Sequence, residues 1–180
     1  MQTSDPDIYA VGMIFAEKES DFDVIKEVCY NNDLRLIYTR EVPLDKKALG
    51  EQAIKELPII KQVFIAPNSL MGTRRFNALV YLSRREIETK LKESPDFYIP
   101  SFSSSTVSYK GLVMPTHIKE FYKDLQDKDF KVSFALFHQR FSTNTLPKWK
   151  LAQPFRMIAH NGEINSVTAN RFNVASKSEF

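Results

Sequence analysis

The chain has 180 residues, enough to bury a sizeable core in one domain but short for two. Apolar residues make up 43% of it and charged residues 26%, ordinary values for a globular protein that exclude a disordered chain. The net charge is +3, and basic residues are scattered among acidic ones rather than clustered in the stripe of a nucleic-acid binder. Two arginine pairs, at 74–75 and 84–85, fall in a predicted helix, where we expect a solvated face and no nucleic-acid partner.

Neither a membrane span nor a metal site is predicted. No run approaches the roughly 18 apolar residues that a membrane-spanning helix needs, and the first residues lack the features of a signal peptide. A single cysteine, Cys29, excludes an internal disulfide framework and any site with several cysteine ligands. The three histidines, His117, His138 and His160, are too scattered to predict a metal site. A cytoplasmic location is therefore expected.

The first half of the chain contains three predicted strands and three predicted helices. Apolar or alternating runs predict strands at 9–16, 34–42 and 59–66. Helical spacing of apolar residues predicts a first helix that begins at Asp21 or Asp23 and buries Cys29 on one face. A short helix is predicted from 43 to about 56, and a longer one from 75 to 91.

The second half is richer in strand patterns. Residues 106–109 are β-prone, and apolar runs at 134–141 and 155–159 predict strands that end in polar side chains. The residues after Glu163 are compatible with a helix. Several consecutive strands, without regular βαβ alternation, predict an α+β fold in which antiparallel sheets stack and helices lie outside.

The first segment that carries chemistry is 138–145 (HQRFSTNT), where a predicted apolar strand ends around Arg140. Arginine presents a rigid fork of donors that matches a carboxylate in two places. The neighbouring hydroxyls and amide would complete a pocket for a small zwitterion. The alternative is a strand end at which Arg140 pairs with a nearby acidic side chain.

The second such segment is 160–163 (HNGE), at the end of the other predicted strand. The side-chain N–H of Asn161 and the backbone N–H of Gly162 can point the same way and form an oxyanion hole, since glycine lets the backbone approach a substrate. The alternative is a plain Asn-Gly turn, a common hairpin connection.

A nucleophile for acyl transfer is missing from these patterns. Such a reaction needs an activated thiol, hydroxyl or amine. Cys29 lies inside a predicted helix and far in sequence from any histidine, so an inert buried thiol is the interpretation that fits it. Thr3 and Ser4 are the other formal candidates, but a flexible terminal segment explains them without any chemistry.

Taken together, the segments resemble the large subunit of glutamate synthase. The resemblance covers nearly the whole chain and is weakest over 66–95. Its motifs are 138–145 (HQRFSTNT), Pro147, Trp149, 152–156 (AQPFR), 160–165 (HNGEIN), 98–99 (YI), 103–104 (SS), 107–111 (VSYKG), 121–122 (FY), 124–125 (DL), 9–13 (YAVGM) and 62–64 (QVF).

The resemblance implies a class II glutamine amidotransferase domain of the N-terminal-nucleophile hydrolase type, with two antiparallel sheets between helix layers (αββα). Such a domain hydrolyses glutamine to glutamate and ammonia, and the ammonia then aminates 2-oxoglutarate at a part of the enzyme that carries FMN and an iron–sulfur cluster. By resemblance, Arg140 holds the glutamine α-carboxylate and Thr143 supplies a substrate-contacting hydroxyl. Asn161 and Gly162 correspond to the oxyanion hole.

The departure from the family is the nucleophile, which the family takes from an N-terminal cysteine about a hundred residues before the part seen here. Residues 9–12 (YAVG) echo the pattern after that cysteine, but Tyr9 cannot replace it. The acidic residue that binds the glutamine amino group is expected after Phe180. We therefore interpret 1–180 as a single partial domain, without the nucleophile block and the C-terminal continuation.

The leading hypothesis is an inactive fragment of the glutaminase domain of a glutamate synthase, with no cofactor of its own. Its expected partners are glutamine or glutamate and the remaining domains of the same polypeptide, and exposed strand edges are expected to promote self-association. The alternative is a stand-alone module that binds glutamine or glutamate without catalysis. The motifs leave ferredoxin, NADH and NADPH open as the electron donor.

Overall fold

The computed structural model describes residues 8–139, 141, 146–156 and 167–177. Four strands and five helices follow one another in these ranges. The strands are β1 (Ala10–Ala16), β2 (Leu34–Glu41), β3 (Ile59–Pro67) and β4 (Tyr98–Ser103). The helices are α1 (Asp21–Asn31), α2 (Glu51–Lys55), α3 (Thr73–Lys90), α4 (Ile118–Phe121) and α5 (Val167–Lys177). Short 3-10 turns are found at Lys46–Ala48, Pro115–His117, Lys123–Gln126 and Trp149–Leu151.

The four strands form one antiparallel sheet in the order β2-β3-β1-β4. Strand β1 is central and pairs along its whole length with β3, from Ala10 opposite Ile65 to Ala16 opposite Ile59. Strands β2 and β4 form the two edges of the sheet in the part of the chain that the structure describes. The predicted α+β class is confirmed, with helices packed on an antiparallel sheet. The described residues form one such sheet, and the second sheet of the predicted stack is not among them.

One face of the sheet is covered by α1 and α3, and we call it the helical face. Alternate residues of a strand point to the same side, so Ala10 and Ile14 of β1 join Val63 and Ile65 of β3 on this face. The helices add side chains at helical spacing that are fully or nearly fully buried: Ile25, Val28, Cys29, Phe76, Val80 and Ile87. This core confirms the predicted buried face of the first and third helices.

The other face of the sheet packs against shorter elements, and we call it the open face. Met13 and Phe15 of β1 point to this side, together with Ile60 of β3. They contact a second core built from α2, α4 and the 3-10 turn that contains Trp149. This core covers the end of the sheet where β1 finishes and β3 begins.

A bulge in β2 moves its side chains from the helical face to the open face. The pairing with β3 shifts between Leu36, which lies opposite Ile65, and Tyr38, which lies opposite Phe64. Leu36 therefore packs on the helical face, whereas Arg40, opposite Gln62, points to the open face. An extra residue in one strand has this effect because side chains alternate with a period of two.

Two predicted elements of the first half differ from the structure. The helix predicted from 43 to about 56 is divided into a 3-10 turn and the short α2, because Leu49 and Gly50 between them have extended backbone. Asp45 caps the turn by accepting a hydrogen bond from the N–H of Lys47. Arg84 does not belong to a solvated face, since it is 8% exposed and bonds Glu88, whereas Arg74, Arg75 and Arg85 follow the prediction.

The strands predicted in the second half are also wrong where the structure describes them. Residues 106–109, 134–139, 141, 155 and 156 have no strand geometry, and 157–159 lie outside the described residues. A strand needs a neighbour for its backbone hydrogen bonds, and the described chain offers 134–139 no such neighbour. Phe134 and Phe137 are consequently about four-fifths exposed, at 80% and 79%. The helix predicted after Glu163 is confirmed as α5.

No helix within the described ranges is long and apolar enough to cross a membrane.

Candidate functional site

The four predicted site residues, Arg140, Thr143, Asn161 and Gly162, lie outside the described residues. The structure does describe the chain on both sides of them. Residues 123–139 lead towards Arg140, and 146–156 connect the two motif segments. The contacts of these flanking segments therefore define what the fold does for the candidate site.

Residues 123–139, which we call the first flank, are tied to the open face by an ion pair between Arg40 of β2 and Asp124. We call residues 146–156 the second flank. Two guanidinium nitrogens of Arg40 contact the two carboxylate oxygens of Asp124, one of them at 3.1 Å. The third nitrogen, Nε, donates to Oε1 of Gln62 at 2.9 Å, so every nitrogen of the fork has an acceptor. The carboxylate and its hydrogen bonds raise the pKa of Arg40 and keep the guanidinium charged.

Tyr109 completes this group, which we call the Asp124 cluster (Arg40, Gln62, Tyr109, Asp124). Its hydroxyl donates to Oδ2 of Asp124 at 2.8 Å and accepts from Nε2 of Gln62 at 3.2 Å. Burial, followed by the bond to the carboxylate, raises the pKa of Tyr109 to about 12. The Tyr109 ring also makes an edge contact with Phe130, at 5.9 Å between ring centroids. This contact extends the Asp124 cluster to the start of the exposed apolar residues at 132–137.

The second flank is held by Trp149, which is 4% exposed. Its indole Nε1 donates to the carbonyl of Ala53 in α2 at 3.1 Å. The ring packs edge-on against Phe15 of the sheet, at 6.0 Å between centroids, and against Phe121 at 5.6 Å. Gly111 lies under the ring, where a Cβ atom would come within 2.2 Å of Cζ3 of Trp149. Glycine is therefore required at 111 for this close approach.

Lys110 is buried beside Trp149 and bonds the same flank. Its Nζ donates to the carbonyl oxygens of Lys150, at 3.0 Å, and Ala152, at 2.6 Å. The ammonium group also lies over the rings of Tyr98, at 4.3 Å, and Phe155, at 5.1 Å. We call this group of contacts the Lys110 cluster.

The charge of Lys110 is opposed by its surroundings. Burial, followed by the nearby Arg156 charge, lowers the pKa of Lys110 to about 7. Its backbone is fixed as well, because the fully buried Tyr122 donates its hydroxyl to the Lys110 carbonyl at 2.7 Å.

Arg156 ends the described part of this flank and ties it to α3. One guanidinium nitrogen contacts Glu88 at 3.0 Å, another donates to the carbonyl of Ile99, and the group lies over the Tyr98 ring at 5.1 Å. The last described residue before 157–166 is thus bonded to both a helix and an edge strand.

Three consecutive residues connect the two flanks. Tyr109 contacts the Asp124 cluster, Lys110 bonds 150–152, and Gly111 makes room for Trp149. The sequence prediction missed these roles and used 107–111 only for a β-prone stretch and for the resemblance. A polar Gln62 inside an apolar strand was the available signal, because a buried amide needs a partner.

Cys29 is the only cysteine of the chain, and the structure buries it completely on the helical face. Burial raises the pKa of its thiol to about 12, which leaves almost no thiolate at neutral pH. This supports the prediction of an inert thiol. Across the described ranges no three His, Cys, Asp or Glu side chains group in a way that could hold a metal ion.

Comparisons with known proteins agree on one family. The sequence pattern of the class II glutamine amidotransferases matches residues 1–180. The chain is 44% identical over 133 residues to the large chain of an NADPH glutamate synthase from Azospirillum brasilense, covering 73% of this chain and 9% of that protein. It is 41% identical over 172 residues to ferredoxin-dependent glutamate synthase 2 of Synechocystis sp., covering 92% of this chain and 11% of that protein. It is 40% identical over 169 residues to the NADPH glutamate synthase large chain of Bacillus subtilis, covering 90% of this chain and 11% of that protein. The chain thus spans about a tenth of the length of these relatives.

Proposed function

Because the chain belongs to the class II glutamine amidotransferases, which are N-terminal-nucleophile hydrolases, we propose that it is part of the glutaminase domain of a glutamate synthase. Glutamine hydrolysis to glutamate and ammonia is the chemistry of that domain, and the ammonia aminates 2-oxoglutarate elsewhere in the enzyme. The observation that carries this proposal is the match over the whole chain, with about 40% identity to glutamate synthases over about 90% of it.

In this proposal residues 1–180 are a partial domain of a larger polypeptide whose other domains are its partners. FMN and an iron–sulfur cluster belong to those other domains. Such a cluster is held by several cysteine thiolates, and the single buried Cys29 of this chain does not fit that requirement.

Arg140 and Thr143 bind the substrate in this proposal. The guanidinium of Arg140 would accept the glutamine α-carboxylate in a two-point contact, which fixes the direction in which the amide points. The Thr143 hydroxyl would add a hydrogen bond to the same substrate. The support for this assignment is the family match over the whole chain, which includes both residues. The Asp124 cluster anchors the chain upstream of them, at residue 124 and the ring of Phe130.

Asn161 and Gly162 stabilise the transition state in this proposal. Their side-chain and backbone N–H groups would donate to the oxygen that becomes negative when the amide carbon is attacked. Such donors are effective only where their position is fixed in advance. The contacts of Trp149, Lys110 and Arg156 hold the segment that leads into them, and this supports the assignment.

The nucleophile is the part that this chain does not supply. Cys29 is buried on the helical face among Ile25 and Val28, so a substrate held by Arg140 would have no access to its thiol. We therefore propose that the 180-residue chain is catalytically silent when it is isolated.

Ammonia release from glutamine tests the silent state directly. We expect the purified chain to release no more ammonia than the Arg140→Ala variant. A matched control is Arg35→Ala, which changes an exposed arginine of β2. Two results together would show that a nucleophile is present and that this part of the proposal is wrong. The unmodified 180-residue chain would release ammonia faster than its Arg140→Ala variant, and at the same rate as its Arg35→Ala variant.

Calorimetry separates a fragment of an enzyme from a stand-alone binding module. Without the amino-group anchor we expect glutamine to bind weakly, in the millimolar range or above, and Arg140→Ala to remove what binding there is. Micromolar binding of glutamine or glutamate would instead favour a sensor that has lost catalysis. Binding that Arg140→Ala leaves unchanged would contradict the assignment of Arg140.

Self-association and location complete the proposal. Strand β2 is an edge of the described sheet and exposes Ile37 and Tyr38, at 55% and 59%. Edges of this kind pair with other chains, so we expect the sedimentation coefficient to rise with protein concentration. A concentration-independent monomer would contradict this. A cytoplasmic location is also part of the proposal.

A further inference from the structure

We infer that Lys110 is a positioning residue that docks 149–155 onto the folded body and thereby fixes the start of the segment that carries Asn161 and Gly162. This inference rests on the proposed function for its meaning, although the docking itself is a property of the described residues. It assigns a positioning role to a lysine that is almost fully buried.

The geometry singles out Lys110 among the contacts of this segment. Its Nζ reaches two carbonyl oxygens that are two residues apart in the chain, those of Lys150 and Ala152. A single amine, which has N–H donors in both its charged and its neutral form, therefore fixes both the position and the direction of the backbone between them. Lys110 itself is 1% exposed, so the two carbonyls would lose their partner inside the protein if the amine were removed.

The backbone of Lys110 is held as firmly as its side-chain amine. Tyr122 is fully buried and bonds the Lys110 carbonyl, and the neighbouring Tyr109 belongs to the Asp124 cluster. The position of Nζ is therefore defined by the body of the protein rather than by the segment that it holds. This is the arrangement expected of a group that positions another.

The equilibrium between the docked and the released segment should also depend on pH, because Lys110 is buried beside a positive charge when the segment is docked and is solvated when it is released. Arg156 faces it from the held segment and opposes its charge, with Glu88 of α3 on the far side of Arg156. The rings of Tyr98 and Phe155 face it without carrying charge at neutral pH.

The sign follows from the two pKa values. In the docked state the pKa is lowered to about 7, whereas a released, solvated lysine has its ordinary value of 10.5. Between these values the released state binds more protons, so raising the pH favours docking by up to about tenfold per pH unit. Below about pH 7 both states are protonated, and docking has no such dependence on this lysine.

Amide hydrogen exchange measures docking without any catalytic assay. The N–H groups of Leu151 and Ala152 are bonded inside the held segment, and amides shared by β1 and β3 report the body. In the unmodified chain we expect the protection factors of Leu151 and Ala152 to rise between about pH 7 and 9, relative to those of the sheet. In Lys110→Met we expect protection at pH 8 to fall by roughly tenfold or more and its pH dependence to vanish.

The exposed Lys47 provides the matched control, and Lys47→Met should behave like the unmodified chain. Protection that is independent of pH in the unmodified chain, or unchanged in Lys110→Met, would overturn the inference. If Lys110→Met also loses protection in the sheet, the pH profile of the unmodified chain alone decides.

Saturation-transfer NMR with millimolar glutamine connects docking to the site. We expect the glutamine signal to weaken in Lys110→Met and to persist in Lys47→Met. Unchanged glutamine binding in Lys110→Met would overturn the link between docking and the site. No glutamine signal in any variant, together with normal pH-dependent protection, would overturn the proposed pocket while supporting docking by Lys110.

Discussion

The two faces of the sheet are built in different ways. The helical face is covered by α1 and α3, which are 11 and 18 residues long and bury continuous rows of apolar side chains. The open face is covered by short turns and by a segment that arrives from far along the chain, with Trp149 as its largest contact. Packing on the first face is mainly apolar, whereas the buried Lys110 and Gln62 and the half-buried Asp124 organise the second through hydrogen bonds.

This difference separates stability from positioning. An apolar face contributes free energy in proportion to the area it buries, and no single direction is required of its side chains. Hydrogen bonds and ion pairs contribute less net free energy but fix direction and distance. The described segments that flank the candidate site residues pack on the open face, where direction matters more than buried area.

The largest expected effect is on the helical face. Phe76 is fully buried between α3 and the sheet, so Phe76→Ala should lower the free energy of unfolding by about 3–5 kcal/mol through lost burial and a cavity. Chemical denaturation of the purified variant measures this. Phe137→Ala, which removes a ring that is 79% exposed, is the control and should change stability by less than about 0.5 kcal/mol. Equal losses in the two variants would contradict the assignment of the core.

A smaller effect is expected at the contact beneath Trp149. Gly111→Ala places a methyl group where the indole ring lies, so we expect a loss of about 1–3 kcal/mol and a red shift of tryptophan emission. Trp149 is the only tryptophan, which makes the emission specific to this site. Gly50→Ala is the matched control because no atom lies within 4 Å of its Cβ position, and it should leave the emission unchanged. An unshifted spectrum in Gly111→Ala would mean that Trp149 is not packed as described.

The Asp124 cluster should show a coupling on the order of 1 kcal/mol, since the Arg40 side chain is 29% exposed and water screens part of the attraction. A double-mutant cycle with Arg40→Met and Asp124→Asn measures this coupling. The ion pair of Lys92 with Glu93 is the control, because these side chains are 71% and 89% exposed and 3.8 Å apart. We expect no measurable coupling in that cycle. Additive effects of Arg40→Met and Asp124→Asn would show that the pair does not anchor the first flank.

The helical face could be predicted from the sequence because its signals are local. The spacing of Phe76, Val80 and Ile87 in α3 indicates a helix with one apolar side, and the apolar run of β1 indicates a buried strand. Each of these patterns is complete within one element. The structure adds their arrangement but changes little in their bounds.

The open face could not be predicted in the same way, because its contacts join distant parts of the chain. Lys110 meets the carbonyl of Ala152 42 residues later, and Trp149 meets that of Ala53 96 residues earlier. Nothing in the pattern around Lys110 distinguishes a buried lysine from a solvated one. The predicted strand at 134–141 failed for a related reason, since strand propensity does not reveal whether a neighbouring strand is present. The roles of Arg140, Thr143, Asn161 and Gly162 stay predictions.

The smallest expected effect is a difference in the order in which the two faces open, which two probes can report. Cys29 on the helical face is the only cysteine of the sequence, and Trp149 on the open face is its only tryptophan. We expect a thiol reagent to leave Cys29 unmodified in the native protein at neutral pH, because the thiol is buried and burial raises its pKa to about 12. As denaturant is added, the emission of Trp149 should change before Cys29 becomes reactive, since the described residues around Trp149, 146–156, contribute no strand to the sheet. The Cys29→Ala variant gives the baseline for labelling. Coincident transitions would instead show that both faces belong to one cooperative unit, in which positioning and stability are not separated.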